Sequence, residues 1–192
     1  MKKQLKELAI IAIIFSVLYF TGWHTEVIAL TQRAVLSTGI FNPGSDDLSG
    51  DNTEDFDYAF KVKSLEGDVL DFSEYKEKVV FLNLWASWCG PCRAEMPGIE
   101  KLYDELKDEK DIAFVILSLD RNPEEARKYI ENKEFTFPVY VLAGYPTDQI
   151  NAPNIPTTYV VSPEGKIIYK KAGMAKYNTR TFREYLKEQA RP

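Results

Sequence analysis

The segment that most constrains the fold is Val79–Pro97, in which an apolar run leads directly into both cysteines of the chain. The run Val79–Trp85 suits a strand that is buried on both faces, in the middle of a sheet that helices cover. Pro91 suits the first turn of a helix, where a missing N–H costs nothing. The segment therefore predicts a strand, a tight junction and a helix, with Cys89 at the junction.

The predicted position of Cys89 has a chemical consequence. The N-terminus of a helix carries a partial positive charge, which stabilises a thiolate and makes a cysteine nucleophilic. A C-x-x-C pair can also be half of a zinc site or a structural bridge. The chain has two cysteines and the single histidine His24, fewer ligands than a zinc site usually needs. A disulfide that closes so short a loop stabilises little. The sequence therefore predicts a redox-active pair, with no metal and no cofactor.

Composition limits the other classes of function. The chain has 192 residues, of which 45% are apolar and 28% are charged, as in one globular domain with short extensions. Its formal net charge is -5, and no basic cluster interrupts the sequence. Nucleic acid is therefore not expected as a partner.

The first residues predict a membrane segment. Lysines precede the apolar run Leu8–Phe20, so residues 1–30 are interpreted as an uncleaved anchor, with a cleaved signal peptide as the alternative. Tyr19 and Trp23 stand where a cleavage site would need small residues, and both suit a membrane interface. Basic residues stay on the cytoplasmic side. The prediction is thus a single pass through the cytoplasmic membrane, with the redox domain on the oxidising, periplasmic side.

After the anchor, residues 31–57 are polar, acidic and rich in turn signals, which predicts a flexible linker. Residues 58–192 carry the periodic segments of one folded domain. Their predicted order is a β-hairpin, then β, α, β, α, β, β, β and α, which gives an α/β sandwich with a mixed sheet. The predicted segments are Tyr58–Val62, Val69–Phe72, Val79–Trp85, a helix to about Lys107, Ile112–Leu119, a helix from Asn122 to about Asn132, Pro138–Leu142, Thr157–Val161, Ile167–Lys171 and Thr179–Gln189.

The stretch LWASWCGPCRAEMP resembles the active site of thioredoxin-fold proteins, and in particular of the membrane-tethered TlpA/ResA-like thiol–disulfide oxidoreductases. Pro97 matches the proline that bends the active-site helix of the family. Ile155-Pro156-Thr157 matches the cis-proline loop, and Leu119–Tyr140 matches a helix–strand insertion typical of the TlpA-like branch. The resemblance implies an α/β thioredoxin-like fold with an N-terminal β-hairpin and a central insertion, preceded by a transmembrane anchor.

The same resemblance implies roles for the site residues. Cys89 would attack a substrate disulfide, and the more buried Cys92 would resolve the mixed disulfide, which leaves a redox-active Cys89–Cys92 disulfide. The expected docking surface for the substrate comprises five residues: Trp88, Gly90, Pro91, Ile155 and Pro156. The cis bond before Pro156 would lay the Ile155 backbone beside the cysteines; the alternative is an ordinary loop proline. Trp85 is expected in the core.

Proton handling is predicted at a different residue from that of thioredoxins proper. Thioredoxins have a buried aspartate six residues before the first cysteine, where this chain has Asn83. Glu95 lies three residues after Cys92, on the same face of the predicted helix. A glutamate in this position resembles the ResA-like pattern, in which it tunes the acidity of the cysteines. The alternative is an exposed helix carboxylate.

The leading functional prediction is an enzyme that reduces disulfides of partner proteins, for example in cytochrome c maturation, and receives electrons from a membrane donor. The Gly90-Pro91 pair, as found in reducing thioredoxins, favours this direction. Two alternatives stay open at this point. One is a peroxiredoxin-like peroxide reductase, and the other is a non-catalytic anchored binding module with a structural disulfide.

Overall fold

The computed structural model of the chain describes residues 23–39, 42–43, 54–151 and 154–191, together with isolated positions before residue 23. The predicted anchor, residues 1–30, is described only in part, and its position in a membrane stays a prediction. Its apolar run Leu8–Phe20 lies mostly outside the described residues, whereas residues 23–30 belong to the helix Trp23–Ser37. Within the described ranges, no helix is both long and apolar enough to cross a bilayer.

The core of the domain is a seven-stranded mixed sheet with the strand order β2-β1-β5-β4-β3-β6-β7. Strands β3, β4 and β5 are parallel to one another, whereas the remaining neighbours pair antiparallel. This topology confirms the predicted mixed α/β sheet. The strands are β1 (Lys61–Ser64), β2 (Val69–Asp71), β3 (Val79–Trp85), β4 (Ile112–Ser118), β5 (Val139–Leu142), β6 (Thr157–Val161) and β7 (Ile167–Ala172).

Four described α-helices accompany the sheet: α1 (Trp23–Ser37), α2 (Gly90–Leu106), α3 (Pro123–Lys133) and α4 (Arg180–Gln189). Side chains of Asn122 and Thr179 cap α3 and α4 by accepting backbone N–H groups of the first turn. A short 3₁₀ helix, Phe72–Tyr75, leads from the hairpin toward β3. The helix α2 contains Pro97 and continues through it as one element, so the helix is not broken at this proline.

Strand β3 divides the core into two parts. All of its residues are buried, because side chains that alternate along a strand point to opposite faces and both faces are covered here. Phe81 and Trp85 join the cluster on the side of the helices α2 and α4. Leu82 and Leu84 join a second cluster, which contains a group of aromatic rings around Phe72. This double coverage explains why β3 reads as a continuous apolar run.

The structure differs from the predicted linker at both of its ends. Residues 31–37 belong to α1 and are helical, and Leu36 is buried in this segment. At the other end, Phe56 is buried in the second cluster, and Asp55 forms an isolated bridge with Lys166. The folded domain therefore includes residues before position 58.

The sheet determines where the functional residues meet. Because β3 and β4 are parallel neighbours with Trp85 opposite Ser118, both strands end at the same edge. The antiparallel strand β6 begins at this edge, with Thr157 opposite Leu84. The loop after β3, the loop after β4 and the loop before β6 therefore converge. The cysteines lie in the first of these loops and in the helix that follows it.

Candidate active site

Cys89 and Cys92 form a disulfide, with their Cα atoms 5.3 Å apart. Cys92 is completely buried, whereas Cys89 keeps 6% of its surface exposed. Cys89 is thus the more exposed of the two residues, as predicted, whereas its role as the attacking thiol stays a prediction. The residue pair also lies at the junction between β3 and α2, as the sequence predicts.

Cys89 is the N-cap residue of α2. Its backbone is extended, with φ -84° and ψ 108°, and its Sγ accepts the backbone N–H of Cys92 at 3.2 Å. Pro91 occupies the first turn, where no N–H partner is needed. A sulfur atom in this position receives both the field of the helix N-terminus and a directed N–H. Both favour the thiolate that forms when the disulfide is reduced.

The loop before β6 lies against the reactive sulfur. The Ile155–Pro156 peptide bond is cis, which confirms the expectation for this loop. The carbonyl oxygen of Ile155 lies 3.8 Å from Sγ of Cys89. Pro156 is buried, and its carbonyl accepts the N–H of Gly173. Ile155 itself is partly exposed, so its backbone borders both the sulfur and the solvent.

The two tryptophans near the cysteines have different environments, as predicted. Trp85 is fully buried beneath the site and contacts the ring of Tyr129. Trp88 exposes 61% of its surface directly before Cys89. A large exposed aromatic side chain beside a reactive thiol is suited to contact with another protein.

The helix α1 lies across the first turn of α2. A Cβ atom on Gly90 would be 3.2 Å from Cγ2 of Ile28, which is closer than most real Cβ contacts. The absence of a side chain at Gly90 therefore allows the two helices to come this close. The Arg33 guanidinium donates to the carbonyl of Arg93 at 3.1 Å. Glu26 of α1 also forms an ion pair with Arg93. The Gly90 side of the motif is therefore covered by α1.

Glu95 is buried rather than exposed, which excludes the simple surface interpretation. It exposes only 2% of its surface. Its Oε1 accepts Nδ2–H of Asn83 at 2.8 Å, and its Oε2 accepts the N–H of Ala175 at 3.1 Å. The residue that replaces the thioredoxin aspartate, Asn83, thus contacts the residue predicted to take over its role.

Burial determines the protonation of Glu95. Desolvation raises the pKa of its carboxyl to about 8, although the hydrogen bonds from Asn83 and Ala175 act in the opposite direction. The carboxyl also borders a cavity of about 320 Å³, which Arg33 and Lys101 help to line. Glu95 is therefore a neutral acid in mildly acidic solution and titrates near pH 8, next to a cavity.

Three polar residues at this edge of the sheet were not identified from the sequence. Ser87 precedes Cys89 by two positions, and its backbone and hydroxyl both donate to the carboxylate of Asp120. Ser118 donates to the same carboxylate. The available signal was a pair of polar residues at the end of a buried strand that neighbours β3. It becomes specific only when the parallel pairing of β3 and β4 is known.

The match to a protein family covers most of the domain. Residues 49–187 match the model of the Redoxin family. Among curated proteins, the chain is 36% identical over 149 residues to the thiol-disulfide oxidoreductase ResA of Oceanobacillus iheyensis. This alignment covers 76% of the chain and 77% of the relative.

Solved structures show the same fold. StoA from Bacillus subtilis superimposes with a TM-score of 0.55 at 26% identity, over 69% of this chain and 96% of that one. A putative thiol:disulfide interchange protein DsbE from Chlorobium tepidum gives a TM-score of 0.59 at 24% identity, over 72% and 99% of the two chains. Together with the cysteine pair at the N-terminus of α2, these matches place the chain in the Redoxin family, as a TlpA/ResA-like thiol–disulfide oxidoreductase of the thioredoxin superfamily.

Proposed function

We propose that this oxidoreductase is anchored in the cytoplasmic membrane and reduces disulfides of partner proteins on the periplasmic side, with Cys89 as the attacking thiol and Cys92 as the resolving thiol. One observation carries the assignment of roles. The Sγ atom of Cys89 caps α2, accepts the N–H of Cys92 and lies beside the carbonyl of Ile155, whereas Cys92 is fully buried.

The exchange begins with the reduced pair. The Cys89 thiolate attacks one sulfur of a substrate disulfide, forms a mixed disulfide and releases the other substrate sulfur as a thiolate. The Cys92 thiolate then attacks Sγ of Cys89 in the mixed disulfide. This second step forms the Cys89–Cys92 disulfide and releases the remaining substrate sulfur. The substrate gains two electrons, and the enzyme becomes oxidised.

Each cycle therefore needs a reductant that restores the dithiol. We assign this role to a dithiol-bearing protein of the membrane. Its dithiol would reduce the Cys89–Cys92 disulfide by the same exchange and would itself become a disulfide. The tethered layout predicted for residues 1–30 would keep the two proteins close together. The Gly90-Pro91 pair between the cysteines supports the reducing direction.

The exposure of the residues around Cys89 supports one approach for the substrate. The Gly90 side is covered by α1, but Trp88 is exposed and the Ile155 backbone faces the sulfur. An extended substrate segment can therefore lie along Ile155 and Pro156, with Trp88 as the apolar contact. Pro91 is partly exposed and lies between these two sides.

Glu95 supplies a proton-handling group for the buried half of the pair. It follows Cys92 by three positions on α2, and residues with this spacing are neighbours on a helix. In its ionised form, a carboxyl with a pKa of about 8 can accept the proton of the Cys92 thiol as this residue becomes a nucleophile, and can return it afterwards. The cavity that Glu95 helps to line is the route that we propose for this proton to solvent.

Cytochrome c maturation is the pathway we propose for the substrate. Covalent haem attachment uses a C-x-x-C-H motif, whose two cysteines must be reduced before they react. In an oxidising compartment this pair forms a disulfide. A tethered reductase with an exposed docking surface around Trp88 is suited to such an extended peptide.

A trapping experiment tests the assignment of roles. In Cys92→Ser, attack by Cys89 still occurs but resolution does not, so disulfide-linked complexes with partner proteins should accumulate and be identifiable by mass spectrometry. Cys89→Ser serves as the matched control and should trap few complexes. Equal trapping by both variants, or turnover of hydrogen peroxide in place of insulin reduction, would contradict the proposal.

The role of Glu95 is tested by the pH profile of cysteine alkylation in the reduced enzyme. As the pH rises through about 8, Glu95 becomes an anion that opposes thiolate formation nearby, so the wild-type rate should rise over two coupled steps. Glu95→Gln has no such charge, and its rate should rise in one step with a lower midpoint. Glu105→Gln, an exposed carboxylate farther along α2, is the control. A profile of Glu95→Gln that matches the wild type would disprove the role.

The location is tested by labelling intact cells that express the full chain. After treatment with a membrane-impermeant phosphine reductant, an impermeant maleimide should label Cys89, and the protein should sediment with membranes after a salt wash. A variant that lacks both cysteines gives the background. Labelling with recovery in the soluble fraction would favour the cleaved signal peptide, and labelling only after lysis would exclude export.

A further inference from the structure

Asp120 lies at the end of β4 and directs both oxygens of its carboxylate toward the loop that carries Cys89. The residue exposes only 8% of its surface. Oδ2 accepts the backbone N–H of Ser87 at 2.9 Å and Oγ–H of Ser118 at 2.8 Å, and Oδ1 accepts Oγ–H of Ser87 at 2.7 Å. The N–H of Asp120 in turn donates to Oγ of Ser118 at 3.1 Å. Ser87 is thus held at two points.

Ser87 occupies a position from which it controls Cys89. The N–H of Cys89 donates to the carbonyl of Ala86 at 3.1 Å, which closes a four-residue turn with Ser87 and Trp88 at its centre. Fixing Ser87 therefore fixes the turn. The turn determines where Trp88 points and where the N-cap sulfur stands relative to the N–H of Cys92.

We propose that Asp120 is a positioning residue for thiol–disulfide exchange, which holds the Ala86–Cys89 turn through Ser87 so that Sγ of Cys89 stays at the N-terminus of α2. The proposal rests on the function assigned above to Cys89. It adds a residue that lies 31 positions away from this cysteine along the chain and joins the site only through the pairing of β3 with β4.

The charge of Asp120 and its positioning of the turn change the pKa of the Cys89 thiol in opposite directions. The direction of the change in a variant therefore separates the positioning role from a simple charge effect. A carboxylate near Cys89 opposes the thiolate, so loss of the charge alone lowers the pKa of the thiol. Loss of positioning moves the sulfur away from the helix N-terminus and the N–H of Cys92. This second effect raises the pKa of the thiol.

The test compares Asp120→Ala, Asp120→Asn and Ser87→Ala with the wild type, by insulin reduction with dithiothreitol and by the pH midpoint of Cys89 alkylation. In Asp120→Ala we expect the rate of insulin reduction to fall about tenfold, the scale expected when buried hydrogen bonds to a charged group are lost. The pH midpoint of Cys89 alkylation should rise by roughly half a unit or more. In Asp120→Asn the amide oxygen can still accept the N–H of Ser87, and the amide NH₂ can donate to Oγ of Ser87 where the second carboxylate oxygen accepted. Its rate should therefore stay within about threefold, and its midpoint should not rise. Ser87→Ala keeps the backbone contact and should be intermediate.

Controls separate this proposal from general destabilisation and from failure of the proposed function. Ser162→Ala removes a buried hydroxyl in the turn between β6 and β7, at the opposite edge of the sheet, and should leave the rate and the midpoint unchanged. If wild type and Cys89→Ser reduce insulin equally, the assignment of Cys89 itself fails. If the wild type depends on Cys89 but Asp120→Ala keeps the wild-type rate, only the positioning role fails.

Further outcomes remain decisive. A lower midpoint in both Asp120 variants would show a charge effect and overturn the positioning role. If Asp120→Ala does not fold, Ser87→Ala decides the question, since it removes the hydroxyl that donates to Oδ1 of Asp120. An unchanged rate and midpoint in Ser87→Ala would then overturn the proposal. In the double variant, the loss should not exceed that of Asp120→Ala, because both changes act on one contact.

Discussion

In the proposed mechanism, the activity of this oxidoreductase depends on one interaction, the contact between Sγ of Cys89 and the first turn of α2. A sulfur atom that caps a helix receives its positive field and, here, the N–H of Cys92. Most of the architecture around the site serves to hold this atom. The buried strand β3 sets the starting point of the turn, Trp85 fills the space below it, and the Ile155 loop closes the adjacent side.

The buried half of the site depends on a different balance. Burial desolvates the carboxyl of Glu95 and raises its pKa to about 8. Two hydrogen bonds, from Asn83 and Ala175, keep the carboxyl oriented. One of these comes from Asn83, which cannot exchange a proton but can hold the carboxyl that we propose does so. Asn83 on β3, which stands where thioredoxins have an aspartate, and the buried Glu95 on α2 thus form one coupled arrangement.

The sequence predicts the strand–turn–helix unit around Cys89 because local signals agree there: a continuous apolar run, a C-x-x-C pair and a proline in the first turn. It does not predict the docking of α1 on Gly90, since that contact depends on packing between segments that are distant in the chain. Asp120 was missed for the same reason. Its partner Ser87 is identified only by the register of two parallel strands, which no local pattern encodes. The sequence does not decide whether Glu95 is buried or exposed, because burial is a property of the whole fold.

The most direct measurement is the distribution of label between the two thiols of the reduced enzyme. A limiting amount of iodoacetamide is added near pH 6.5, below the usual thiol pKa of about 8.5, and the modified residue is identified by mass spectrometry. If the N-terminus of α2 activates Cys89, this residue should carry nearly all of the label, while Cys92 stays unmodified. Equal labelling of both residues, or preferential labelling of Cys92, would contradict the account of the site.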